Sequence, residues 1–119
     1  MTEKFMHVYK TALSYSNMDL DLSLKFRNVK IYENDYIHEV YSVGNSTLPH
    51  LVLLHGYGGT SLTFARLFKS LSTRYQIHAL DTFGVGLSSR GNWHNKMTRE
   101  EVVSYYIDAL EAWREKVGI

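Results

Sequence analysis

At the start of the chain, Phe5, Met6, Tyr9, Ala12 and Leu13 recur at helical spacing, which predicts a short amphipathic helix over Phe5 to Leu13. Only Lys4 and Lys10 supply lysines to it, so it is read as a helix lying across a sheet edge in preference to one facing a membrane or droplet. The period then changes from helical to alternating. Leu22, Leu24 and Phe26, then Val29 and Ile31, alternate with polar residues, Asn34-Asp35 interrupts, and Ile37, Val40, Tyr41 and Val43 resume. This is the pattern of a β-hairpin or small meander. Gly44-Asn45-Ser46 and Pro49 mark a loop, and Leu51 to Leu54 follows as an unbroken apolar run, expected of a parallel-sheet strand buried on both faces.

His55-Gly56-Tyr57-Gly58-Gly59 comes directly after that run, and Phe64, Leu67, Phe68 and Leu71 at i, i+3, i+4, i+7 predict a helix beyond it. Ile77, Ala79 and Leu80 predict a second strand that ends at Asp81 and completes a βαβ unit. A loop rich in Gly and Ser runs from Phe83 to Asn95. Thr98 and Glu101 then have the spacing of a capping box; Val103, Tyr106, Ile107 and Leu110 are the expected buried stripe of a last helix, and Gly118 its terminator. The predicted fold class is α/β: a β-hairpin, then βαβα with a mostly parallel sheet.

Composition narrows the function without naming it. Thirteen Lys and Arg against twelve Asp and Glu give a net charge of +1, far from the basic bias that a nucleic-acid partner demands. With no Cys there is no disulfide, no thiolate metal site and no Cys nucleophile. The longest strongly apolar run, Leu51 to Leu54, is too short to span a bilayer, and Glu3, Lys4 and His7 break the stretch a secretory signal needs. From composition alone the default expectation is an intracellular soluble protein.

The chemistry centres on the glycine turn. Such a turn, between a buried strand and a helix, presents backbone N–H groups to negative charge. Two reaction classes use it: dinucleotide binding, for a pyrophosphate, and acyl transfer, for a tetrahedral oxyanion. Gly56-Tyr57-Gly58-Gly59-Thr60-Ser61 matches the first two glycines of G-x-G-x-x-G, and Asp81 stands where a ribose-binding acid would. Against it, Ser61 occupies the third glycine position, and a hairpin precedes the turn. Gly84-Val85-Gly86-Leu87-Ser88-Ser89 is a second partial match, but no helix is expected before Thr98.

Leu51 to Gly59 as LVLLHGYGG, Ala79 to Arg90 as ALDTFGVGLSSR, and Glu111 to Gly118 as EAWREKVG together resemble the α/β-hydrolase superfamily. The likeness covers roughly residues 24 to 118 and is nearest the lipid-handling subgroup of N-acyl phospholipid lysophospholipases and a triglyceride-lipase coactivator. It implies an N-terminal extension over residues 1–22 and, over 23–119, the N-terminal half of a hydrolase domain ending before the nucleophile elbow. By position, the Tyr57 N–H looks like the oxyanion donor. His55, Gly56, Gly58 and Gly59 would support that loop. Asp81 would organise the Gly84-Gly86 turn by accepting its N–H groups, and Ser88 would be a cap or turn residue, with Ser89, since Gly-x-Gly-x-Ser is not Gly-x-Ser-x-Gly.

His55 as a general base is disfavoured, since a base needs an oriented partner and a nucleophile in reach. His78 is expected to point outward from its strand and His94 to sit in a polar loop; no pair has metal-ligand spacing, so neither metal nor cofactor is expected. Trp113 and Arg114 are expected to anchor packing and meet the last helix carbonyls. The superfamily order is Ser, acid, His, and no G-x-S-x-G occurs in these residues. The leading expectation is therefore part of a serine hydrolase for esters or lipids, its partner the remaining half of the domain in cis or in trans. A non-catalytic lipid-binding or coactivator protein is the alternative, and a dinucleotide-binding half-domain the third.

Overall fold

The computed structural model describes residues 3–14 and 24–119. The side chains of Phe5, Met6 and Leu13, and Leu22 altogether, lie outside the described residues. The elements are α1 (Glu3–Ser14), β1 (Leu24–Lys30), β2 (Tyr36–Ser42), β3 (His50–Leu54), a 3₁₀ segment (Ser61–Leu67) running into a one-turn α2 (Phe68–Leu71), β4 (Gln76–Leu80) and α3 (Arg99–Val117). The sheet order is β1-β2-β4-β3.

The hairpin and the βαβ unit are both present, joined into one sheet. β1 pairs antiparallel with β2, β2 antiparallel with β4, and β3 parallel with β4. The sheet is thus mixed, with two of its three pairings antiparallel, where a mostly parallel sheet was expected. The reason is that β2 skips β3 and lies against β4, so the parallel part is a single pair.

Each face of the sheet has its own core. On one, Leu24, Val40, Ile77 and Ala79 meet Tyr9 of α1 and Ala65 and Phe68 of the helical connection. On the other, Ile37 and Leu80 meet Phe83 and, from α3, Ala109 and Trp113. Burying side chains of this size contributes about 1.5–3 kcal/mol each, which holds the layers together.

Three expectations are corrected. Leu51 to Leu54 is only half-buried, because β3 has one strand neighbour among the described residues and sits at the sheet edge; Leu54 is 46% exposed. The expected Phe64–Leu71 helix is 3₁₀ over its first half, to Leu67, and α-helical over its second, with Phe68 buried but Leu67 exposed. In α3 the buried stripe is Ala109 and Trp113 with Tyr105 half-buried, while Val103, Tyr106 and Ile107 face out. Small Ala109 lets the helix settle on Leu80 and Ile37, and that choice of face turns the larger stripe away.

The helix ends are as the sequence signals. Thr98 Oγ1 accepts from Glu101 N–H, and the Glu101 carboxylate accepts from Thr98 N–H. Gly118 closes the helix at φ +78, in the left-handed region that glycine adopts without strain. Among the described residues no helix is long and apolar enough to cross a membrane.

Candidate active site

The loop after β3 is shaped by its glycines and one histidine. Gly59 N–H donates to Gly56 C=O at 3.0 Å, and Gly58 has φ +72. His55 Nδ1 lies 2.8 Å from Gly56 C=O, an acceptor, so Nδ1 carries the proton; Nε2 then accepts from Thr82 N–H at 3.1 Å. His55 thereby ties the loop to the end of β4, and both its ring nitrogens are engaged. Tyr57 sits at the tip with its side chain fully in solvent. The turn's own backbone bond does not use the Tyr57 N–H.

Asp81, at the end of β4, is fully buried and gathers three donors. Ser61 N–H reaches Oδ1 at 2.7 Å; Tyr9 hydroxyl and Leu87 N–H reach Oδ2 at 2.7 and 2.8 Å. The turn it organises thus donates through Leu87 and not through Gly84 or Gly86. Burial, and then the neighbouring Asp81 carboxylate, keep the Tyr9 hydroxyl protonated well above its ordinary range. Ser88 is buried as well: its hydroxyl donates to Asp81 C=O at 2.5 Å and accepts from His38 N–H at 2.8 Å, locking the Gly84-Gly86 loop to β2. Ser89 makes the equivalent tie to Tyr36. Neither hydroxyl is free to attack a substrate in this arrangement.

Gly86 explains its own identity. Its φ is +56, and a Cβ there would stand 2.7 Å from Asp81 Cγ. Gly86→Ala is therefore expected to lower stability by about 1–3 kcal/mol, through strained φ and displacement of the Asp81 carboxylate. Chemical denaturation checks it; an unchanged midpoint would mean the loop re-forms without Asp81.

A second polar cluster escaped the sequence. Glu39, fully buried on β2, accepts from Arg27 Nε at 2.7 Å, from His78 Nδ1 at 2.5 Å and from Trp113 Nε1 at 3.3 Å. His78 in turn lies 2.8 Å from His50 of β3. Arg27, Glu39, His78 and His50 thus form a polar rung across all four strands. His78, expected to point outward, is 7% exposed, because α3 covers that face. Burial pushes the Glu39 carboxyl up, but the hydrogen bonds from His78 and Arg27 outweigh it and hold the group below the usual carboxylate range. On the opposite face His38 hydrogen-bonds Asn28 through Nδ1, its buried Nε2 has no partner, and burial pushes its pKa down against the pull of Asp81 and Glu39.

Trp113 is buried as expected, and Arg114 meets the Ile119 carbonyl and pairs with Glu111. Beside the glycine loop, Leu54, Leu80, Phe83, Tyr106, Ile107 and Leu110 wall a hollow of about 120 Å³ with almost wholly apolar surfaces. The described residues contain no group of three or more side chains able to hold a metal.

The alpha/beta hydrolase fold family matches residues 49–119. A 1-acylglycerol-3-phosphate O-acyltransferase from Arabidopsis thaliana is 37% identical over 83 residues, which is 70% of this chain and 20% of that protein. A (lyso)-N-acylphosphatidylethanolamine lipase from Bos taurus is 36% identical over 69 residues, 58% of this chain and 20% of that protein. The structure of naproxen esterase (carboxylesterase NP) from Bacillus subtilis shares the fold, with a TM-score of 0.73 at 21% identity over 100% of this chain and 39% of that one. The chain spans about a fifth of the length of the curated relatives it matches. The dinucleotide alternative is set aside: the glycine turn opens a 3₁₀ segment and not an α-helix end, and the matches are to hydrolase-fold proteins. A hairpin feeding a strand, a glycine loop pinned by His55, and a buried Asp81 closing the next strand complete the case: the chain belongs to the α/β-hydrolase fold family.

Proposed function

We propose that residues 23–119 are the N-terminal half of a hydrolase domain that transfers the acyl group of carboxylic or lipid esters to water, and that they contribute the oxyanion loop. The Tyr57 N–H is the donor. What supports it is one observation: Tyr57 stands at the tip of a loop whose own hydrogen bond runs from Gly59 to Gly56, at the C-terminal end of β3. A donor held this way costs no reorganisation when negative charge develops on the substrate oxygen. The nucleophile, acid and base come from the segment that completes the domain, in cis or in trans. Lipid esters are the substrate class favoured by the relatives, an acyltransferase and a lipase by name. The work is done at a membrane or lipid-droplet surface without crossing it.

A second reading is a non-catalytic lipid-binding or lipase-coactivator protein of the same fold, favoured by the apolar hollow between Leu54 and α3.

Residues 1–119 by themselves are expected to show no turnover of short p-nitrophenyl esters above a buffer blank, since an oxyanion donor without Ser and His offers no acyl-enzyme route. Turnover that is blocked when a fluorophosphonate labels Ser88 or Ser89 would sink the assignment. In the completed domain, a Ser at the elbow with measurable esterase activity supports the enzyme, whereas another residue there supports the second reading.

A further inference from the structure

The β1–β2 turn, the loop after β4 and the first half of α3 border an open hollow of about 160 Å³, which shares only Phe83 with the apolar one beside the glycine loop. Three aromatic rings form its sides. Tyr32 and Phe83 meet almost at a right angle, 77° with centroids 6.2 Å apart, and Tyr105 lies against Phe83 at 4.6 Å and 31°. Asp35 and Asp108 add carboxylates from two different elements, and Asn92 and Ser104 add two further polar side chains. Neither carboxylate makes an ion pair with a cation among the described residues.

The hollow is held open by construction. Gly91 has φ +50, and a Cβ there would stand 2.6 Å from Phe83 Cζ and 3.5 Å from Asp35 Oδ2. The loop can therefore sit directly on Phe83 only with glycine at this point. Both carboxylates act on the same phenol: burial first, then Asp108 and Asp35, raise the Tyr32 hydroxyl. Tyr105 is pushed up to about 12 by burial, then by Tyr106 and Asp35, with Arg90 opposing. Its hydroxyl is committed to Arg90 C=O at 2.5 Å, which leaves the ring as its contribution to the wall.

Aromatic faces attract a cation through their quadrupoles, and carboxylates add net charge. A hard inorganic cation wants six or more oxygens converging on it, and the described residues contain no group of three or more side chains able to hold a metal. A cation carrying its charge on an apolar shell satisfies both kinds of wall at once. We propose that the Tyr32–Phe83–Tyr105 hollow, with Asp35 and Asp108, binds a quaternary ammonium group. This site goes beyond ester cleavage and does not rest on it.

The test titrates residues 1–119 with tetramethylammonium chloride and follows backbone amide signals by NMR, with sodium chloride as the ionic-strength control. Saturable shifts confined to Tyr32, Gly91, Tyr105 and their neighbours are expected. Tyr32→Leu should weaken the affinity by roughly 3- to 10-fold and Tyr32→Phe should leave it intact, as a cation–π wall requires. Asp35→Asn combined with Asp108→Asn should weaken it further. Tyr32 is 41% exposed, so its truncation spares the core. Phosphatidylcholine and phosphatidylglycerol vesicles separate the sources: selective binding to the former, competed by tetramethylammonium, identifies a lipid headgroup, and ammonium binding without vesicle binding identifies a free small cation. The same shifts with sodium chloride, or unchanged affinity in both Tyr32→Leu and the double Asn variant, would overturn the site.

Discussion

Tyr57→Pro, placed in a completed domain that carries this segment, is expected to lower kcat by about 10²- to 10³-fold, the typical loss of one oxyanion donor. Proline removes the N–H; it also replaces a ring that touches only solvent and fixes φ at the tip, which is why the fold is checked alongside the rate. Tyr57→Phe should stay close to wild type, because only the phenol oxygen is lost. The donor interaction exists only once charge develops, so kcat and kcat/KM should fall together while KM holds. Stopped-flow kinetics on both variants, with circular dichroism to confirm the fold, decide the matter. A proline variant with intact structure and wild-type kcat would remove the Tyr57 N–H from the mechanism.

Glu39→Ala carries the largest expected effect on stability. It strands the His78 Nδ1–H and the Trp113 Nε1–H in a buried layer and leaves a void at the centre of the sheet. Breaking a buried ion pair from one side costs about 3–5 kcal/mol, and with the Arg27 side chain 38% exposed the lower end applies, about 3 kcal/mol. Urea denaturation at unchanged m-value measures it. The pH dependence follows from the depressed Glu39 pKa: the contribution is fully present above the carboxyl's unfolded-state value and is lost as pH falls through the lower folded-state value. Glu39→Gln should flatten that acid limb. An acid limb identical to wild type would assign the loss to other carboxylates.

How much of this was legible in the sequence depended on whether the signal was local. The hairpin, the strand ending at Asp81 and the Thr98 cap each rest on residues a few positions apart, and period or capping geometry suffices for them. The glycine loop was legible too, because a positive φ at Gly58 has a residue-type signature. The Glu39 rung was not. Glu39 and His78 are brought together by a register in which Tyr41 faces His78 and Glu39 faces Leu80, and nothing in either local segment encodes that pairing. His38 and Glu39 are adjacent and both fully buried, which alternation cannot express: β2 is covered on both faces. The α3 stripe was misassigned for a related reason. Val103, Tyr106 and Ile107 make the more apolar face by composition, yet close approach to Leu80 favoured the face with Ala109. Tyr9 belongs to the same class, since its helix was expected but its hydroxyl's place on Asp81 was set by a partner 72 residues away.

The strand order carries a consequence for the chain as it is synthesised. Glu39 meets its partners in sequence: Arg27 is 12 residues from it, His78 39 and Trp113 74. An emerging nascent chain can form the β1–β2 hairpin with only Arg27 against the carboxylate, while the far edge of β2 waits for a strand made after β3. Closing the longer loops costs more chain entropy, so the contact with Arg27 is expected to form before those with His78 and Trp113. Once His78 docks and α3 lays Trp113 over the rung, the same charge is dehydrated and paired. Glu39 thus has one charged partner in the isolated hairpin and becomes the central tie only in the finished sheet.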